Sequence, residues 1–183
     1  MRRSVLHTLN ACLLFLCTSM YLGTGWSLVL FSFPIAPQLT VDTYYLQFVP
    51  QVTAATRFFT WMTGVMLASA VVLFLAERKS PLRWYPAIVL LGVVAATLLT
   101  RFFIFRYNAE MAAGIRDPER LREVLAAWMN TNRIRVGLWT VQWLAMMGYF
   151  AHKVLRAEKP ARAEVAKPAP QEPSARRWVE ARS

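Results

Sequence analysis

Four long apolar runs constrain this chain more than any other feature. They cover residues 5–33, 58–76, 84–100 and 134–151. A run of about 18 mostly apolar residues is long enough to cross the hydrocarbon of a bilayer as a helix. Lipid offers no hydrogen bonds to an open backbone, so such runs must pair their amides internally. The expected fold is therefore all-α: an integral membrane four-helix bundle. Arg2 and Arg3 ahead of the first run also suit a signal peptide, but that run is too long and no small-residue cleavage site closes it, so a retained helix is expected.

Composition supports the membrane class. The chain is 56% hydrophobic and only 17% charged, against about a quarter charged in soluble domains. The net charge of +11 raises nucleic acid as a partner. The basic residues flank the apolar runs and form no base-reading module, which argues against it. Cys12 and Cys17 lie five residues apart in the first run, about 140° around a helix, and match no metal-ligand pattern.

The positive-inside rule sets the expected orientation. Arg2 and Arg3, then Arg78, Lys79 and Arg83, then Lys153, Arg156 and Lys159 fall on one side of an even number of crossings. All four lysines (Lys79, Lys153, Lys159 and Lys167) lie there too, so both termini are expected in the cytoplasm, N-in/C-in, of a bacterial inner membrane. The opposite side holds loops at residues 34–57, punctuated by Pro34, Pro37 and Pro50, and 101–133, which has several arginines and no lysine. Helices three and four are expected to extend beyond the membrane on this outer side. The third continues through "RFFIFRYNAEMAA". The fourth starts near Pro118, with Asp117 as its cap and Glu119 suited to the dipole. Residues 1–157 form the expected transmembrane domain, and residues 158–183, rich in Pro, Ala, Glu, Lys and Arg, a disordered basic tail.

A polar stripe crosses the outer ends of these helices. Residues three, four and seven apart share a helix face. Trp128, Asn132, Arg135, Trp139 and Gln142 follow that spacing on helix four, and Thr97, Arg101 and Asn108 on helix three. Arg57, Trp61 and Gly64 align on helix two, and Tyr21 and Thr24 fall in the outer half of helix one. Interfacial belts account for tryptophans at this depth, and snorkelling accounts for Arg57 and Arg133. Arg135 shares its face with Asn132 and Gln142, and that face is expected to turn into the bundle. There it lines a pocket or supplies hydrogen bonds between helices. The candidate catalytic residues are Arg135, Asn132 and Asn108. The candidate substrate-binding residues are Trp128, Trp139, Arg101, Tyr21 and Trp61. No metal site is expected.

The segments "FRYNAEM" and "WMNTNRIRVGLW", with "FSFPIAP" after helix one, resemble the anthrone oxygenase-like family of small four-helix membrane proteins. The resemblance covers roughly residues 26–150. It implies a compact bundle in which Asn108, Trp128, Asn132 and Arg135 form the polar constellation. It also implies cofactor-independent oxidation of an anthrone-type ring to a quinone. Such chemistry needs a dry slot for a flat ring, groups that stabilise an oxyanion, and a base, for which Tyr21 is the candidate. The alternative function is a non-enzymatic accessory or scaffold subunit of a membrane complex. His7 and His152 at the cytoplasmic ends could in principle ligate haem, but no second pair exists, and no cofactor is expected. The expected partners are membrane lipids, a hydrophobic aromatic small molecule and another membrane protein.

Overall fold

The computed structural model describes the backbone of residues 2–165 and the side chains of residues 5–157. Every described element is helical. Helix α1 (Arg2–Ser27) runs on through a π-turn (Leu28–Ser32), and a 3₁₀ turn (Ala36–Gln38) leads towards α2 (Tyr44–Glu77). A second 3₁₀ turn (Pro81–Arg83) precedes α3 (Trp84–Leu99), a π-turn (Thr100–Ile104) and α4 (Phe105–Ala113), which follow without a break. The last helix, α5, spans Pro118–Val165. The all-α class is thus observed.

Three stretches are long and apolar enough to cross a membrane: Val5–Ser32, Tyr44–Glu77 and Pro81–Ala113. Helix α5 falls outside that set, because Arg135 and Gln142 interrupt its apolar stretch. The chain divides into two compact units, residues 1–149 and 150–183. In the second, the backbone is helical as far as Val165, into the stretch read as tail. Ala161, Arg162, Ala163 and Glu164 are strong helix formers. The rest of the expected disordered tail lies outside the described residues.

The loop expected at residues 34–57 is mostly helix. Helix α2 begins at Tyr44 and carries Pro50 inside it. A proline there removes one backbone bond and crowds the preceding turn. Two anchors on the same face outweigh that cost. Tyr44 is 1% exposed and Phe48 is 5% exposed, and the Phe48 ring meets Trp128 edge-on at 5.3 Å. Burying such a side chain contributes about 1.5–3 kcal/mol. Tyr44 also donates its hydroxyl to the Met111 carbonyl at 3.2 Å and accepts from the Ile115 amide. It therefore ties the start of α2 to the turn between α4 and α5.

That turn is made by Gly114, at φ +90°, a conformation side chains other than glycine rarely adopt. Asp117 then starts α5, its carboxylate accepting from the Glu119 amide at 3.0 Å. Beyond the turn, Arg120 bridges Glu110 of α4 at 2.6 Å and Glu123 at 3.0 Å. The hydrogen bonds to Glu110 and then Glu123 raise its already high pKa. Buried apolar groups, among them Phe33, Ile104, Met111, Val124 and Trp128, fill this end of the bundle.

At the other end, His7 of α1 lies 3.0 Å from Glu77 of α2 and 2.9 Å from the Tyr149 hydroxyl of α5. Tyr149 donates to Glu77 at 2.9 Å. A buried carboxylate needs such partners, and this cluster fastens three helices together.

Candidate functional site

Between these two clusters lies a cavity of about 450 Å³. Helix periodicity explains who faces it. On α5, Trp128, Arg135, Trp139 and Gln142 recur at the spacing of one face, and all four line the wall. Helix α1 adds Tyr21 and Thr24, and α2 adds Phe59, Thr63 and Met66. The α3–α4 run adds Val93, Thr97, Thr100, Arg101 and Asn108. The exposed lining residues are Gln51 and Thr60 of α2 and Thr97, Leu98, Arg101 and Phe105 opposite them, so the cavity opens along the seam between these helices.

Arg135 dominates the site. Its Nη1 donates to Thr100 Oγ1 at 3.1 Å, and that hydroxyl in turn donates to the Ala96 carbonyl at 2.8 Å. The guanidinium carbon sits 4.6 Å from the centre of the Trp139 ring, within cation–π range. Its Nε is buried and has no protein hydrogen-bond partner. Among the described residues no carboxylate pairs with it, and no carboxylate lines the cavity, which holds a second arginine, Arg101, at its exposed side. The lining therefore favours an anion or a partly negative oxygen.

The aromatic wall is built around Trp139. Tyr21 packs against it at 4.9 Å between ring centres and against Phe59 at 4.7 Å. The Tyr21 hydroxyl is 3.0 Å from the Phe59 carbonyl and 2.6 Å from Thr63 Oγ1. Those bonds hold the ring in place and occupy the group considered as a base. Towards the other side, Trp128 donates its indole N–H to Asn108 Oδ1 at 2.9 Å.

Of the eight residues expected at the site, six line the cavity: Arg135, Asn108, Trp128, Trp139, Arg101 and Tyr21. Two do not. Asn132 is fully buried next to it, donating its amide to the Trp128 carbonyl at 2.8 Å, so it props the helix and does not face the lining. Its Oδ1 has no protein partner. Trp61 is 78% exposed. It sits two residues from Phe59, about 200° around the helix, and so looks away from the bundle. Sequence reasoning left out Thr100, which holds Arg135. The π-turn at Thr100–Ile104 sets the local register there, and side-chain spacing along an ideal helix carries no sign of it. Gln142 was legible as part of the α5 face but was not counted as a site residue.

Comparison with protein-family models, with characterised proteins and with solved structures finds no match to this chain.

Proposed function

We propose that this is a four-crossing membrane protein, N-in/C-in, whose cavity lies towards the outer leaflet and binds a flat lipophilic molecule through an anionic or enolate oxygen. The observation that carries this reading is Arg135: a half-buried arginine whose buried Nε has no protein hydrogen-bond partner, with no carboxylate partner among the described residues and an indole face beside it. An unpaired buried donor costs about 1–3 kcal/mol, and a bound oxyanion offsets that cost. The fourth crossing is α5, whose polar residues Arg135 and Gln142 turn inward and so avoid lipid.

The resemblance to the anthrone oxygenase-like family suggests the reaction. An anthrone loses a proton from its ring methylene, which returns in the water released at the end, to give an enolate that Arg135 stabilises by charge and hydrogen bonding, with Asn108 near the substrate. The carbanion form reacts with dioxygen. The methylene becomes a carbonyl, and one water leaves for each dioxygen consumed. The cavity contributes a dry aromatic slot and a fixed positive charge.

The test is titration of the purified protein, held in lipid nanodiscs, with an anthrone under anaerobic conditions, followed by oxygen-uptake measurements. Binding should weaken at least about tenfold in Arg135→Gln, equivalent to about 1.4 kcal/mol. Arg135-independent binding would sink the proposal. Binding with no oxygen uptake would leave a carrier or sensor of such rings and refute the oxygenase.

A further inference from the structure

Gln142 is a polar group that the arrangement at Arg135 does not explain. It is 1% exposed and lines the inner wall of the cavity, yet neither its Oε1 nor its Nε2 has a hydrogen-bond partner in the protein. Helix α3 makes room for it. A Cβ at Gly92 would stand 2.7 Å from both Cγ and Nε2 of Gln142. A methionine would fill the same space with no orphaned polar atom, so the bare amide needs a reason.

The other lining hydroxyls do not supply a partner. Thr63 donates to the Phe59 carbonyl, Thr97 to Val93 and Thr100 to Ala96. Gln142 follows Arg135 by seven residues, about 10 Å along the helix axis. Trp139 lies between them on the same face. One wall therefore presents a guanidinium, an indole and an amide in a row. An amide carries one acceptor oxygen and a donor nitrogen side by side.

We infer that the ligand is two-ended: an anionic oxygen at Arg135, a flat body over Trp139, and at the far end a hydroxyl that donates to Gln142 Oε1 and accepts from Nε2. This rests on the reading that the cavity binds a flat anion at Arg135. Gln142 then sets specificity, because a site built around a ligand hydroxyl rejects the analogue that lacks it.

Two fluorescent probes separate the claims, 2-naphthoate and 6-hydroxy-2-naphthoate, which share the carboxylate and differ in the distal hydroxyl. Both are titrated into the full-length protein in nanodiscs. The hydroxylated probe should bind about tenfold tighter or more. Gln142→Met should abolish that preference while 2-naphthoate binds at least as well. Gly92→Ala, which crowds the amide from α3, should reduce the preference and serves if the first variant does not fold. Equal binding of the two probes to the unmodified protein, or a preference that survives both substitutions, overturns the inference. An affinity for 2-naphthoate unchanged in Arg135→Gln refutes the anion site instead, while a preference lost in Gln142→Met would still stand. No binding of either probe at saturating concentration overturns both.

Discussion

Arg135 and Gln142 are polar residues that a bundle held together by packing would not retain. Each leaves buried hydrogen-bonding atoms without a protein partner, and replacing such groups with apolar ones of similar shape is often neutral or stabilising. Arg135→Met should therefore leave the melting temperature in detergent unchanged or raise it, while ligand binding is lost. A large drop would show that the Thr100 contact is a structural link. Arg135→Lys is the finer probe, since lysine keeps the charge and loses the planar fork. It should melt normally and bind at least about tenfold more weakly, a difference of about 1.4 kcal/mol. Trp61→Ala is the matched control. The side chain faces outward, so affinity should not change, and a loss of binding would place Trp61 in the site after all. The spacing on α5 made Arg135, Trp139 and Gln142 legible as one face, because the helix there is regular. The stripe on α2 misled, because a lipid-facing and a cavity-facing surface are both apolar and aromatic, so composition does not distinguish them.

Elements are set by local devices that can be tested one at a time. Tyr44 holds the first turn of α2 to the α4–α5 turn through two hydrogen bonds. Tyr44→Phe strips both and orphans a buried amide, a loss of about 1–3 kcal/mol measurable by chemical denaturation in micelles. No change there would show that the ring alone provides the anchor. Gly114→Ala forces a side chain into a positive-φ conformation, at a cost of about 1–3 kcal/mol although no neighbouring atom is in the way. Pro50→Ala should move stability in the opposite direction. It removes a helix-interior proline from an exposed position and restores a backbone donor. The capping role of Asp117 was legible from sequence, since Asp-Pro-Glu before a long periodic run carries the start signal itself. The start of α2 was not, because three prolines read as loop, and it takes Trp128 and Met111, distant in the chain, to stabilise the helix there.

At the scale of the whole molecule, the polar groups sort by depth: a hydrogen-bonded His7, Glu77 and Tyr149 cluster at one end, the Arg135 cavity in the middle, and the Tyr44 anchor with the α4–α5 turn at the other. The proposed topology places the first end in the cytoplasm and the last outside. Reporter fusions at Ser80 and Gly114 should therefore read cytoplasmic and external. The same side for both would rule out a crossing by α3, and an external Ser80 with a cytoplasmic Gly114 would reverse the map.

Apolar run length was enough to establish helices and a membrane setting, because the bilayer imposes both on any chain of this pattern. The absence of breakers up to Gly114 and the cap at Asp117 likewise made the helical extensions through α4 and from the start of α5 legible. Only tertiary packing decided which polar residues meet. Periodicity places a residue on a face, and the neighbours across that face decide whether it is paired, as Asn108 is by Trp128, or keeps buried polar atoms without a protein partner, as Arg135 and Gln142 do.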